Sequence, residues 1–246
     1  MSDMLPTVAG NWDRMAEYRE KFNEDIALWV QGYPPMLRYY VNNRRELIDM
    51  LADTMPPLVA YNLFRIHGVK ARRMIDLFAG IGGWSLGFAL YAYPENVYIE
   101  AVELDRKKAR ILELLLKYVK SFYNELEFNV IIMDVRNYEV PNDIDVLTAS
   151  PPCEDISPLN AFRGFKEYKH TVDLTRVFVE KVKGRNMGIF YENVYDKRLA
   201  SLLADNGFSV EKVDFSQYIP QRRIRLIATK NVRRQVSLDG FAGVRR

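Results

Sequence analysis

The stretch Asp76-Leu77-Phe78-Ala79-Gly80-Ile81-Gly82-Gly83 decides the fold. It closes a short apolar run at residues 74–78 and opens a longer one at residues 83–93. A five-residue run with four apolar residues fits a buried strand, whereas the longer run has helical spacing and length. Glycines at a strand-to-helix turn let the backbone approach a ligand closely, at the carboxyl ends of the strands. On this stretch alone a plain tight turn and a dinucleotide site both stay open, because Gly-x-Gly after a strand is weakly specific.

The same alternation continues outward. Residues 97–102, 128–133, 144–149 and 187–191 read as buried strands. Between them, residues 106–122 and 171–182 have helical spacing, and residues 197–206 are a shorter candidate. This βαβ order predicts an α/β fold with a mostly parallel sheet and helices on both faces. Residues 208–213 and 224–229 flank a turn at 218–220 and complete seven strands, as a terminal antiparallel pair. Upstream, residues 14–29 and 44–51 read as helices, and Gly32-Tyr33-Pro34-Pro35 as a turn. Pro56-Pro57 opens a helix over residues 58–66 at the first turn, where proline costs little. Three parts are expected: a helical segment over 1–70 packed on the sheet domain, the α/β domain over 71–230, and a basic tail over 231–246.

A chain of 246 residues, 48% hydrophobic and 27% charged, suits one sizeable α/β domain and excludes global disorder. Cys153 is the only cysteine, which excludes an intrachain disulfide and a multi-cysteine zinc site. With His67 and His170 the only histidines, no metal is expected. No apolar run approaches the roughly 18 residues of a membrane span, and the N-terminus lacks a signal pattern. A soluble, cytoplasmic protein with no membrane partner is expected, nucleoid-associated if prokaryotic. The net charge of +3 is small. From Arg222 onward, however, Arg223, Arg225, Lys230, Arg233, Arg234, Arg245 and Arg246 face only Asp239, which suits phosphate contact as well as a solvated tail.

The strand ends carry the chemistry. Glu103 ends the second strand, where a carboxylate can accept hydrogen bonds from both ribose hydroxyls. Asp134 ends the third, where a carboxylate can accept one from an adenine amino group. Either acid alone could be a surface or capping residue; together they describe a nucleoside cradle. Ala149-Ser150-Pro151-Pro152-Cys153 follows the fourth strand and sets the only thiol on a rigid turn at the ligand edge, although a lone cysteine is more often a small buried hydrophobe. Glu192-Asn193-Val194 follows the fifth strand. In Gln221-Arg222-Arg223-Ile224-Arg225, strand alternation turns Arg223 and Arg225 to one side. Arginines facing inward are costly unless paired with such groups or with a substrate.

In this order the motifs resemble those of the cytosine-5 DNA methyltransferase family. Asp76 to Gly83 is similar to motif I, Glu103-Leu104-Asp105 to motif II and Asp134 to motif III. Pro151-Pro152-Cys153 resembles motif IV, Glu192-Asn193-Val194 motif VI, and Gln221-x-Arg223-x-Arg225 motif VIII. The resemblance spans roughly residues 73–229. It implies a Rossmann-like S-adenosylmethionine-dependent methyltransferase fold, with S-adenosylmethionine as cofactor and DNA, less readily RNA, as partner. By resemblance Cys153 attacks carbon 6 of a flipped cytosine and Glu192 bonds ring nitrogen 3, while Arg223 and Arg225 hold the base carbonyl and the acids. The cofactor residues implied are Asp76, Phe78 against the adenine, Ala79, Gly80, Gly82, Gly83, Glu103 on the ribose, Leu104, Asp134 on the adenine amino group, Val135 and Pro151.

The chain departs from the family's usual layout. Leu28-Trp29-Val30-Gln31-Gly32-Tyr33-Pro34 resembles the Leu-Gln-Gly-Phe-Pro element near motif IX. Asp53-Thr54-Met55-Pro56-Pro57-Leu58-Val59-Ala60 resembles motif X, normally Gly-Asn-x-Val-Pro-Pro, with Ala52-Asp53 where Gly-Asn is usual and Asp53 and Thr54 implied at the methionine end of the cofactor. A circular permutation placing motifs IX and X before motif I is therefore expected. No segment is long enough for a standard target recognition domain. The N-terminal helix, the loop over 154–170 (with Arg163, Lys166, Lys169 and His170) and the basic tail are the candidates to replace it. Relaxed or short specificity is expected, with a homodimer or a separate specificity subunit as possible partner. Glu154 stands where the family commonly has Gln or Asn. A tRNA cytosine-5 methyltransferase and a non-catalytic nucleic-acid-binding subunit of the same fold are the alternatives, with a small-molecule methyltransferase disfavoured by the arginines and by Pro-Pro-Cys.

Overall fold

A computed structural model of the chain describes residues 24–153 and 169–234. Among the described residues there are seven strands: β1 (Arg73–Leu77), β2 (Val97–Glu103), β3 (Leu126–Ile132), β4 (Val146–Ala149), β5 (Gly188–Asn193), β6 (Ser209–Asp214) and β7 (Ile224–Lys230). The α-helices are α1 (Glu24–Gln31), α2 (Arg44–Asp53), α3 (Pro57–Ile66), α4 (Gly83–Ala92), α5 (Arg106–Lys120), α6 (Lys169–Val182) and α7 (Lys197–Asp205). A 3-10 turn over Pro35–Tyr39 follows the expected turn at Gly32. Residues 14–23, Glu154, Arg163, Lys166 and residues 235–246 lie outside the described part.

The strands form one sheet in the order β3-β2-β1-β4-β5-β7-β6. The first five are parallel, and β7 runs antiparallel to both its neighbours. The expected terminal pair therefore exists, but β7 is not at the rim. It inserts between β5 and β6, with Asn193 opposite Leu226, and so carries the residues before Leu226 to the carboxyl end of β5.

Both faces of the central strands are buried because helices cover both, which is why the strands read as apolar runs. Successive residues point to opposite faces. Met74 and Phe190 join the core beneath α3, α4 and α5, while Ile75, Ile189 and Tyr191 join the one beneath α6 and α7. Local signals start the helices. The Asp105 side chain caps α5 by accepting from Lys107 N and Lys108 N, and Asn43 and Asp196 do the same for α2 and α7. In α5 the buried residues are Ala109, Ile111, Leu112, Leu115 and Leu116, the stripe that a 3.6-residue repeat produces. Phe64 of α3 packs on Trp84, Phe88 and Phe190, so the N-terminal helices share the core of the sheet. Among the described residues no helix is long and apolar enough to cross a membrane.

Candidate active site

The carboxyl ends of β1, β2, β4 and β5 open on one cavity of about 390 Å³. The first wall is the turn after β1. Phe78 and Gly80 both take positive φ, 56° and 55°, which reverses the chain within three residues. A Cβ added to Gly80 would meet nothing within 4 Å, so this glycine borders open space. Its amide donates to Glu103 Oε2 at 2.7 Å, and Asp105 N donates to Oε1 at 2.8 Å. Two backbone donors thus orient the Glu103 carboxylate at the end of β2 and leave each oxygen a free lone pair.

Of the residues read from the sequence, twelve line this cavity: Asp53, Phe78, Gly80, Glu103, Leu104, Asp134, Val135, Pro151, Cys153, Glu192, Arg223 and Arg225. Asp76, Ala79, Gly82, Gly83 and Thr54 do not. Asp76 is fully buried and accepts from Ser85 N at 3.1 Å, Ser85 Oγ at 2.7 Å and Thr148 Oγ1 at 2.9 Å. It ties β1 to β4 and to the first turn of α4, and burial pushes its pKa up from 3.8 to about 7. Gly82 faces α5, and Gly83 faces the connector between α2 and α3. A Cβ on Gly82 would lie 2.1 Å from Leu112 Cδ1, and one on Gly83 would lie 1.7 Å from the Met55 carbonyl oxygen. They permit close packing, and only Gly80 borders the cavity. Thr54 turns its hydroxyl to Tyr33 Oη, 2.9 Å away, which leaves Asp53 as the member of that pair at the cavity.

The nucleoside-like end combines acids with apolar surface. Leu104, beside Glu103, is 63% exposed although it is a leucine. Asp134 accepts from Arg136 N at 2.9 Å and Arg136 Nη1 at 2.8 Å, which fixes it at the end of β3. Carboxylates for hydroxyl and amino groups, with Phe78, Leu104 and Val135 as apolar walls, match the donor and apolar inventory of S-adenosylmethionine.

The other end gathers the thiol, a carboxylate and two arginines. Burial and Glu192 push the Cys153 thiol up to about 11, while Arg225 and Arg223 act the other way. Arg225 Nε lies 3.2 Å from Glu192 Oε1, both side chains being largely buried. Arg223 is 2% exposed, and its Nη2 donates to the carbonyls of Ala52 at 2.8 Å and Thr54 at 3.0 Å. Its Nε and Nη1 are buried without a hydrogen-bond partner. Burial and the neighbouring Arg225 push the Arg223 pKa down to about 9, so a charge that is still present at neutral pH sits in a site that disfavours it. Buried donors of this kind call for an acceptor from outside the chain.

The sequence reading missed residues that build this end. Asn193 Nδ2 donates to the Pro151 carbonyl at 2.9 Å and holds the Pro-Pro-Cys turn against β5. Trp84 Nε1 donates to Ser150 Oγ at 2.9 Å, and Thr171 Oγ1 to the Pro152 carbonyl at 2.8 Å. His170 and Leu174 of α6 line the cavity, as do Lys108 and Arg136. Asn193, inside the Glu192-Asn193-Val194 motif, and His170, named with the 154–170 loop as a candidate for target recognition, carried a signal in the sequence. The remainder depends on how α4 and α6 dock.

The pattern of the C-5 cytosine-specific DNA methylase family matches residues 72–228, more than half of the 246-residue chain. The chain belongs to the C-5 cytosine-specific DNA methylase family. The Type II methyltransferase M.Bsp6I of Bacillus sp. (strain RFL6) is 31% identical over 176 residues, covering 63% of this chain and 50% of its own. M.BsuFI of Bacillus subtilis is 30% identical over 209 residues, covering 75% and 46%. This C-5 methylase chain thus spans about half the length of the relatives it matches. Among solved structures, NSun6 from Pyrococcus horikoshii with SFG superposes with a TM-score of 0.52 at 16% identity, over 73% of this chain and 52% of that one. The magnesium protoporphyrin IX methyltransferase of Synechocystis PCC 6803 with bound SAM gives 0.50 at 12% identity, over 91% and 96%. At such identities the likeness concerns the fold, which is that of S-adenosylmethionine-dependent methyltransferases.

Proposed function

We propose that this methylase transfers a methyl group from S-adenosylmethionine to carbon 5 of cytosine in DNA, with Cys153 as nucleophile. One observation carries the reading. Cys153, Glu192, Arg223 and Arg225 converge in the same cavity as Glu103, Asp134 and Phe78. A methyl acceptor and a nucleoside-bearing donor can therefore meet inside it.

Glu103 and Asp134 hold the ribose and the adenine amino group, with Phe78, Leu104 and Val135 against the ring. When bound, S-adenosylmethionine supplies an electrophilic methyl group on a sulfonium. The rest belongs to side chains of this chain and to the base. A flipped cytosine brings its carbonyl oxygen to the unpartnered Nε and Nη1 of Arg223. Glu192, held by Arg225, takes up a proton as the base enters and donates a hydrogen bond from its carboxyl O–H to ring nitrogen 3, which is itself an acceptor. Cys153 Sγ gives its proton to water and bonds carbon 6, which pushes ring electrons to carbon 5 and makes it the nucleophile. After carbon 5 gains the methyl group its proton leaves to a base, the C–S bond breaks and the thiolate departs. The preorganised arginines stabilise the charge that develops on the carbonyl and ring nitrogen.

The helical segment before β1 belongs to this reading. We infer that residues 28–34 and 53–60 are the counterparts of motifs IX and X, placed ahead of motif I by circular permutation. The close approach of the Met55 carbonyl to Gly83 and the bonds from Arg223 to Ala52 and Thr54 support it. Target choice would then fall to a second copy of the chain, a separate specificity subunit or minimal readout. A methylation map of the isolated protein with a long defined site contradicts this.

Incubation with labelled methyl donor, in parallel on duplex DNA and on tRNA, tests the function. Label on carbon 5 of cytosine in DNA is the expected result. Label confined to tRNA replaces the substrate. Binding of both nucleic acids without label shows a non-catalytic subunit.

A further inference from the structure

Arg223 enters the cavity from the segment before β7, but the groups that hold its guanidinium come from the N-terminal helices. Its Nη2 donates to the carbonyls of Ala52 and Thr54, at the C-terminal end of α2. Carbonyls of a last helical turn lack intrahelical partners and carry partial negative charge, so a cation is well placed there. Those carbonyls are fixed from behind. Thr54 Oγ1 lies 2.9 Å from Tyr33 Oη, with both residues buried. Next in sequence, the Met55 carbonyl is pressed against Gly83 of α4. Gln31, two residues before Tyr33, donates to the Leu51 carbonyl at 3.3 Å and to Gln221 Oε1 at 3.5 Å, and Gln221 stands two residues before Arg223. The turn at 31–33, the end of α2 and the segment 221–223 thus form one buried polar seam.

Tyr33 stands where the similar family element has Phe, and Thr54 occupies the variable position of Gly-Asn-x-Val-Pro-Pro. A phenylalanine at position 33 would fill the same space and leave Thr54 without this partner.

We propose that Tyr33 and Thr54 are positioning residues for Arg223: their hydroxyl pair fixes the carbonyl that anchors Nη2, so that Nε and Nη1 are presented to the base carbonyl. The role of the base rests on the methyl-transfer reading above; the anchoring of Arg223 does not. Displacing a charged group by a fraction of an ångström from a reacting centre costs rate without unfolding anything.

Cys153 provides a readout independent of turnover, because it is the only thiol in the chain and Arg223 favours its ionised form. Tyr33→Phe and Thr54→Val should each slow alkylation of Cys153 by iodoacetamide at a fixed pH by roughly three-fold, as expected when one buried hydrogen bond ceases to hold a nearby cation. In methyl transfer they should lower kcat by about five- to ten-fold. Thr54→Ser, which keeps the hydroxyl, should behave as the parent. In an Arg223→Lys background neither Tyr33→Phe nor Thr54→Val should cause further loss, because the group they position is gone. Unchanged alkylation and kcat in Tyr33→Phe would overturn the proposal. So would losses that simply add to those of Arg223→Lys, since a general packing role predicts that. If the parent protein methylates neither DNA nor tRNA, the functional reading fails, and the alkylation series still decides the anchoring.

Discussion

Arg225 Nε sits 3.2 Å from Glu192 Oε1, and the two side chains are 14% and 7% exposed. The contact exists because β7 runs antiparallel beside β5, which brings the start of one strand to the end of the other. It leaves Glu192 oriented and compensated, while the neighbouring Arg223 keeps two buried donors unpartnered. One arginine thus serves the carboxylate and the other is available to a substrate.

Removing one partner of that pair should cost more than removing both. Arg225→Met leaves a buried carboxylate uncompensated, a change that typically costs about 3–5 kcal/mol. Glu192→Gln combined with Arg225→Met should be less destabilised than Arg225→Met alone. Urea unfolding midpoints of the parent and the two variants measure this, and equal midpoints for the single and double changes count against a coupled pair.

Cys153 should be a slow nucleophile in the free protein. With its thiol pushed up to about 11, chiefly by burial and then by Glu192, thiolate is scarce at neutral pH. Alkylation should therefore rise about ten-fold per pH unit between neutrality and pH ~10, where the thiolate fraction still grows with hydroxide. Mass spectrometry of the single cysteine follows it, and a plateau below pH ~8 would show a thiol activated before substrate arrives.

Asp76 links stability to pH with a definite sign. Its folded pKa is raised from 3.8 to about 7, so between those values the native state keeps a proton that the unfolded chain has released. Stability from this group is therefore present in acid and lost as pH rises from about 4 to about 7, with no further change above. Asp76→Asn should flatten that slope. Denaturation at pH ~5 and ~8 checks it, and an identical slope in the variant removes Asp76 as the cause.

The glycines of the first turn should separate into two kinds. Gly83→Ala puts a Cβ 1.7 Å from the Met55 oxygen, which is backbone and cannot swing aside. A loss of at least about 2 kcal/mol is expected, as for overpacking generally. Gly80→Ala meets no atom but must hold φ near +55°, which costs about 1 kcal/mol. Its larger effect should be on binding of the methyl donor, measured by calorimetry. Equal stability losses in the two variants contradict this division.

Much of this was legible in the sequence because the signals were local. Strand ends at Glu103, Asp134, Cys153 and Glu192 follow from apolar runs and turns, and period-two alternation placed Arg223 and Arg225 together. The position of β7 inside the sheet was not legible, since the pairing of β7 with β5 depends on non-local register rather than on its own residues. Nor were the duties of Gly82, Gly83 and Asp76. The first two answer to Leu112 of α5 and to Met55 in the connector between α2 and α3, and Asp76 answers to Thr148 on a neighbouring strand. Asn193 and Trp84 escaped notice for the same reason, because each acts on the Pro-Pro-Cys turn across a tertiary contact.

Duplex DNA carrying 5-fluorocytosine tests the central claim most directly. Once Cys153 has bonded carbon 6 and the methyl group has arrived, fluorine at carbon 5 cannot leave as a proton does, so the C–S bond persists. With S-adenosylmethionine present, the parent protein should give a denaturant-resistant protein–DNA complex, and Cys153→Ser should give none. A complex formed equally by Cys153→Ser, or no complex from parent protein that demonstrably binds the duplex, would contradict the assignment of Cys153 as the nucleophile.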